Sequence, residues 1–173
     1  MAAHIILGLL SLTTAAAPAG ATTEQQPEVI PGPGMPSLQE LGVTSAELYQ
    51  QGLPKPAELS VLSANFNPIC GPNESRYTNV NGLVACFHYL QKLGTQQCKV
   101  PSEHSVFCRA GDAVVLGQAA NLHGASSYCR DVATGLLYTI DHCTRPDKSC
   151  AGAQAAGGNG NLIVVSGDKR VYG

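Results

Sequence analysis

The chain has 173 residues and a formal net charge of −2, with 10 Lys or Arg residues against 12 Asp or Glu residues. Charged residues make up only 13% of the chain, and its basic residues form no stripe interleaved with aromatic side chains. The composition therefore argues against a protein that binds nucleic acid, and the lack of a basic amphipathic segment argues against membrane-surface binding.

Residues 1–21 have the pattern of a secretory signal peptide. An apolar run at residues 5–12 is followed by small residues that end in Ala19-Gly20-Ala21, which is an A-x-A cleavage site. This run is too short to span a bilayer, and no second apolar run follows it. We therefore predict a secreted, extracellular protein without a membrane span.

Residues 22–57 are rich in Pro and Gln, with Pro-Gly and Lys-Pro steps along them. This composition resists packing, so we predict a flexible arm or a pro-segment. Within it, residues 37–53 carry enough Leu and Val for one short helix. The remaining residues, 58–173, form the predicted cysteine-rich domain.

The domain opens with a predicted strand at residues 59–62, which runs into a polar loop. Asn79 or Asn81 then caps a helix that extends through Leu93 and ends at Gly94. Alternating residues on either side of a three-residue turn at 110–112 predict a β-hairpin over residues 104–117.

A second helix is predicted over residues 126–143. Its apolar residues recur at helical spacing and share one face: Cys129, Val132, Ala133, Leu136, Ile140 and Cys143. Ser126 or Ser127 is the expected cap. Because a cysteine lies near each end of this face, we expect disulfides to staple the helix to the layer beneath it. The glycine-rich residues 151–160 then precede a final strand at 161–165.

These elements follow one another as β-α-β-β-α-β. The predicted fold class is α+β: a split β-α-β-β-α-β sandwich with a four-stranded antiparallel sheet and two helices on one face, stabilised by disulfides.

All seven cysteines lie between residues 70 and 150, at Cys70, Cys86, Cys98, Cys108, Cys129, Cys143 and Cys150. In a secreted chain this density indicates a disulfide framework, but spacing leaves the pairing open. Seven is odd, so one thiol is free, binds something, or links two copies in a dimer. We expect the odd cysteine to be Cys70, Cys98 or Cys150, which we place in loops.

Two further features concern the surface of the domain. Asn73-Glu74-Ser75 is a sequon for N-glycosylation within a polar loop. The connecting segments at residues 71–78, 118–125 and 151–160 are candidates for a recognition surface, because loops on a rigid scaffold commonly carry binding function.

Several stretches are similar to one group of proteins. These are residues 83–90, 107–117, 127–133 and 158–165, together with Cys143. They resemble the cysteine-rich small secreted proteins of filamentous fungi, above all the killer-toxin-like and necrosis-inducing effector group. The resemblance covers roughly residues 58–166 and rests on cysteine placement. It implies a two-helix, four-stranded α/β sandwich and a toxin-like or virulence role, and it implies no catalytic residues.

The sequence gives little support to an enzymatic function. A hydrolytic triad would need one of His88, His104, His123 or His142 beside Ser102, Ser126 or Ser127 and an Asp, yet no G-x-S-x-G is present. The acids Glu74, Glu103, Asp112, Asp131, Asp141, Asp147 and Asp168 form no recognisable glycosidase pair.

Metal and phosphate sites are also weakly indicated. Asp141-His142-Cys143 could ligate zinc, but no repeated ligand spacing accompanies it. Residues 157–161 look like a phosphate loop, yet they precede a strand rather than a helix. We therefore predict no cofactor, no metal and no nucleic-acid partner.

The sequence favours a secreted, disulfide-rich effector or toxin-like protein that binds a protein or glycan of a host or competitor and is not an enzyme. Two alternatives stay open: a small secreted hydrolase acting on wall polysaccharide or protein, and a wall-associated structural protein attached by its arm.

Overall fold

The computed structural model describes residues 26–53, 67–121 and 123–172. The elements, in chain order, are β1 (Val29–Pro31), α1 (Ser45–Gln50), β2 (Ile69–Cys70), a 3-10 turn (Glu74–Arg76), β3 (Thr78–Asn79), α2 (Val80–Leu93), β4 (Gln97–Val100), β5 (His104–Ala110), β6 (Ala113–Ala119), β7 (Ala125–Tyr128), α3 (Cys129–Cys143), β8 (Ser149–Cys150), β9 (Gly152–Ala156), β10 (Asn159–Asp168) and α4 (Lys169–Tyr172). The predicted signal peptide at residues 1–21 and the predicted strand at 59–62 lie outside the described residues.

The main sheet has six strands in the order β1-β5-β6-β10-β9-β2, and every pairing in it is antiparallel. The α+β class is therefore confirmed, but the prediction of four strands was wrong. Among the described residues, β1, β9 and β2 join the central strands β5, β6 and β10, and all three are short. Their residues are too few, or too rich in Gly and Pro, to show a strand pattern in the sequence.

Helices α2 and α3 pack against the same face of this sheet. Gly82 of α2 approaches Ala113 of β6, and Gly135 of α3 approaches Val164 of β10. Ala113 pairs with Asp168 in the ladder, and Val164 is four residues from Asp168 on the same strand, so both contacts lie on one face. The described residues also include the short helices α1 and α4.

Two glycines set the distance between helices and sheet. A Cβ atom on Gly135 would lie 2.5 Å from the carbonyl oxygen of Ala155, and one on Gly82 would lie 2.5 Å from that of Ala110. Real Cβ atoms essentially never come so near to another atom. Both positions therefore require glycine for the backbones to pack this closely.

Residues 26–53 belong to the folded core, which corrects our prediction of a flexible arm for this part of residues 22–57. β1 extends the sheet by pairing with β5, and Leu48 of α1 is 0% exposed. The physical reason is that α2 is apolar on nearly all sides, with 11 of its 14 residues buried. The sheet covers one side of α2, and residues 26–53 cover another.

The predicted helices are present, with one change of boundary. α2 is capped by the Asn79 side chain, which accepts a hydrogen bond from the Asn81 backbone, and it ends at Gly94 with φ of 59°. α3 begins only at Cys129, because residues 125–128 pair with β4 as a strand. Ser126 and Ser127 therefore do not cap it. All six residues of its predicted apolar face are buried.

The predicted hairpin is β5 and β6, although its turn has two residues rather than three. Ala110 pairs with Ala113, and Gly111 at the first turn position has φ of 61°, as a type II′ turn requires. A second hairpin, β9 and β10, occupies most of the glycine-rich residues 151–160, which we had predicted to be a connecting segment before the final strand.

Three disulfides are present: Cys70–Cys143, Cys86–Cys108 and Cys98–Cys129. Each end of α3 is therefore stapled, as predicted, and a third bridge joins α2 to β5. Cys150 is the free cysteine, one of the three we named. Its side chain is 0% exposed, so the proposed disulfide-linked dimer is not supported, because the thiol cannot reach a second chain.

Candidate functional site

Two of the three predicted recognition segments meet at one edge of the structure. A concavity with a volume of about 480 Å³ lies there. It is lined by residues of the β6–β7 connection, the start of β10, β4 and β7. Its polar lining residues, which define what we call the polar groove, are Lys99, Asn121, His123, Ser126, Asn159 and Asn161.

The Asn159 side chain connects two segments that line the groove. Its side-chain amide donates to the carbonyl oxygen of Ser126 at 2.7 Å, and its Oδ1 accepts from the backbone N–H of Asn161 at 3.0 Å. The backbone N–H of Ala120 in turn donates to the carbonyl oxygen of Asn161 at 2.9 Å. The β6–β7 connection and β10 are therefore fixed to one another.

Four other polar side chains of the groove remain available to a ligand, whereas the Oδ1 of Asn121 accepts a hydrogen bond from the His123 backbone. Within the described residues, no hydrogen bond or ion pair occupies the Lys99 ammonium, the His123 ring, the Ser126 hydroxyl or the Asn161 amide. All four residues are exposed. The groove thus presents amide, hydroxyl, imidazole and ammonium groups on a backbone that is already ordered.

Only part of this set could be predicted from the sequence. Asn121, His123 and Asn159 lie in the predicted recognition segments, whereas Lys99, Ser126 and Asn161 lie outside them, although Ser126 had been a candidate nucleophile. The missed signal was the alternation in β4, where exposed Gln97 and Lys99 alternate with buried Cys98 and Val100. Such alternation predicts a strand with one face toward solvent.

A second concavity of about 650 Å³, which we call the outer-face recess, borders the groove at Asn121. It lies on the sheet face opposite α2 and α3. Its floor is apolar, formed by Leu116, Val165, Val171 and Tyr172. Its rim carries polar groups, among them Glu103, His104 and Gln118.

The segment at residues 71–78 does not line the groove or the recess. Arg145 forms a bidentate ion pair with Glu74, with distances of 2.5 and 2.9 Å, and its guanidinium lies 3.3 Å from the ring centroid of Tyr77. The side chain of Asn73 is exposed beside this cluster.

Of the candidate catalytic histidines, His123 shares the polar groove with the candidate nucleophile Ser126, but no hydrogen bond joins the two side chains in the described residues. His88 is buried in α2, where its Nε2 lies 2.6 Å from the carbonyl oxygen of Gly52, so it joins two core segments. His142 lies on the exposed side of α3, 3.4 Å from Asp141 and stacked on Tyr138, outside both concavities. Within the described residues, no histidine is hydrogen-bonded to a serine.

The described residues also form neither the candidate metal site nor the candidate phosphate loop. No group of three or more His, Cys, Asp or Glu side chains in them is placed to hold a metal ion. Gly157 and Gly158 form the β9–β10 turn, and the Gly157 N–H donates to the carbonyl oxygen of Asp131 rather than facing an anion. No helix within residues 26–53, 67–121 and 123–172 has the length and apolar character needed to cross a bilayer.

The chain has no significant match among curated proteins or solved structures. A family model described as a domain of unknown function, DUF8794, matches residues 67–166. The matched segment contains α2, α3, all three disulfides and the polar groove, but not β1 or α1. Because the match spans more than half of the chain, this protein belongs to the DUF8794 family.

Proposed function

We propose that this protein is secreted and acts by binding, as an effector or toxin-like protein, and that its polar groove takes a glycan of a host or competitor. The observation that carries the proposal is the convergence of the Lys99, His123, Ser126 and Asn161 side chains on one ordered concave surface.

The disulfides support the extracellular part of the proposal. Bridges of this kind form and persist in oxidising environments and are rare in the cytosol. Three bridges in a domain of this size are typical of small secreted proteins. The signal-peptide pattern at residues 1–21 and the sequon at Asn73 point the same way.

The groove chemistry favours a sugar over an apolar ligand. Amide and hydroxyl groups both donate and accept hydrogen bonds, as sugar hydroxyls do. The neighbouring outer-face recess adds the Tyr172 side chain and an aliphatic floor, against which the C–H faces of a second sugar could pack. An oligosaccharide crossing Asn121 would therefore contact both surfaces.

A binding role is favoured over hydrolysis because glycoside hydrolysis needs two carboxyl groups facing each other across the bound sugar. Among the described residues, the polar groove is lined by no carboxylate, and the outer-face recess contributes only Glu103. The same concavities therefore suit recognition better than bond cleavage.

The test is binding of the secreted protein to wall polysaccharides and glycoprotein glycans, by glycan array followed by calorimetry. Asn161→Ala and Lys99→Ala should each weaken binding of the selected glycan by about tenfold, the loss of roughly one hydrogen bond to a ligand. Asn67→Ala and Lys92→Ala are matched controls, because both side chains are exposed and lie outside the groove.

Equal binding by the groove variants and the controls would contradict the proposal. So would release of reducing sugar from the bound glycan, because that result would favour the hydrolase alternative. Retention of the protein by insoluble wall material, unaffected by groove variants, would instead favour the wall-associated alternative.

A further inference from the structure

Beside the polar groove, β4 and β7 form a two-stranded antiparallel ribbon with one exposed face. Lys99 pairs with Ser126, and Gln97 pairs with Tyr128. All four residues are exposed. Side chains two residues apart on a strand point to the same side. The surface that lines the groove at Lys99 and Ser126 therefore continues to Gln97 and Tyr128, and we call these four residues the ribbon face.

The aromatic ring of Tyr128 lies at the end of the ribbon face that is farther from the groove. Tyr128 is 41% exposed, and it follows Ser126 by two residues, which is roughly 7 Å along a strand. The Arg130 guanidinium lies 5.3 Å from the centroid of the ring, so a ligand would contact the part of the ring that stays exposed. An exposed aromatic ring offers an apolar surface beside polar groups, which suits the C–H face of a sugar.

The Lys99 ammonium is the charge that no neighbouring group offsets on this surface. Among the side chains that the structure describes, no carboxylate lines the groove. The Asp131 carboxylate lies 3.8 Å from Arg130, whose charge it offsets, and Glu103 lines the outer-face recess instead. A ligand that carries an anionic group would therefore meet an uncompensated cation at Lys99.

We propose that the ribbon face extends the polar groove into a binding site for an acidic glycan, with an anionic group of the glycan at Lys99 and an adjacent sugar ring against Tyr128. This inference rests on the proposed glycan-binding function and narrows the class of its ligand. A lysine forms charge-assisted hydrogen bonds with a carboxylate or a sulfate ester, and these are stronger than bonds between neutral groups. Ser126 and Gln97 supply donors and acceptors for the sugar hydroxyls.

The test compares two acidic ligands with their neutral forms, by calorimetry on the full secreted chain. The pairs are an oligogalacturonide with its methyl ester, and a sulfated oligosaccharide with its desulfated form. For the wild type we expect at least one acidic ligand to bind about tenfold more tightly than its neutral form. This difference should shrink as sodium chloride rises from about 0.05 to about 0.5 M, because salt screens exposed charges.

Two sets of variants assign the contacts. Lys99→Gln should abolish the preference for the acidic form, whereas Lys99→Arg should keep it. Lys92→Gln, at an exposed position of α2, is the control. Tyr128→Ala should weaken binding of the acidic and neutral forms alike by about tenfold, whereas Tyr128→Phe keeps the ring and should bind normally. Tyr138→Ala, outside the groove and the ribbon face, is the control for loss of a ring.

Equal binding of the acidic and neutral forms would overturn this inference, as would a preference that survives Lys99→Gln. Undiminished binding by Tyr128→Ala would also overturn it, because the ribbon face would then contribute nothing. In these cases glycan binding that is weakened by Asn161→Ala would leave the proposed function standing. Binding that no groove variant weakens would overturn the proposed function and this inference together. A preference for the carboxylate or for the sulfate ester supports the site and identifies its anionic group.

Discussion

The phenol of Tyr89, in the middle of α2, donates a hydrogen bond of 2.7 Å to the carbonyl oxygen of Pro36, which lies 53 residues earlier in the chain. Tyr89 is 0% exposed, and burial raises its pKa, so it remains a donor. Together with the contact between His88 and Gly52, this bond fastens residues 26–53 along α2. Residues 26–53 are therefore part of the folded structure.

Leu48→Ala should destabilise the protein by about 2–5 kcal/mol, because it leaves a cavity under α1 where a fully buried side chain packs. Leu53→Ala is the matched control, since Leu53 belongs to the same segment and is 58% exposed. Denaturant unfolding at equilibrium measures both. Similar midpoints for the two variants would show that residues 26–53 do not contribute to the core.

Gly135→Ala should destabilise the protein by roughly 1–3 kcal/mol, because the added methyl group would force α3 away from Ala155 of β9. Helix propensity alone predicts the opposite sign, since Ala is favoured over Gly by about 1 kcal/mol inside a helix. Asp141→Ala, at an exposed position of the same helix, provides the control. Stabilisation by Gly135→Ala, measured by thermal unfolding, would mean that the contact between α3 and Ala155 leaves room for a methyl group.

The Cys150 thiol should resist iodoacetamide in the native protein and gain one label per chain after unfolding without reductant. The thiol is 0% exposed, and burial raises its pKa, so the reactive thiolate is disfavoured. Intact mass spectrometry counts the labels, and non-reducing peptide mapping checks the three bridges. Rapid native labelling, or a reducible dimer, would contradict the burial of this residue.

Asp168→Asn should make the protein less stable at neutral pH and less sensitive to acid. The Asp168 side chain is only 2% exposed, and its hydrogen bonds from Arg170 hold its pKa below the usual value. A carboxyl with a lowered folded-state pKa stabilises the fold above its unfolded pKa of about 3.9. That stability is lost as pH falls through the folded-state pKa.

Unfolding temperatures between pH 7 and pH 2.5 test this prediction. Wild type and Asp168→Asn should differ most at pH 7 and should converge at the acid end. Glu28→Gln, at an exposed carboxylate, is the control and should follow the wild-type curve. Parallel curves for wild type and Asp168→Asn would mean that the pair with Arg170 adds no pH-dependent stability.

The sequence by itself predicted the elements whose information is local. Asn79 and Gly94 mark the ends of α2, six apolar residues mark the buried face of α3, and alternation around Gly111 marks the β5–β6 hairpin. Each of these patterns involves residues only a few positions apart. Each can therefore be recognised from a short stretch of sequence without knowledge of the tertiary structure. The sequence also predicted that cysteines would staple α3 at both ends.

Tertiary structure alone decided the rest. A three-residue strand such as β1 has no periodicity to detect, and its place beside β5 depends on the exposed side of α2 that residues 26–53 must cover. Cysteine spacing could not choose the partners, because pairing depends on the distance between chain segments after folding. The polar groove likewise needs Lys99 and Asn161 from separate strands. Local patterns specify which segments become helix or strand, but contacts between distant segments exist only once the apolar faces have been buried against one another.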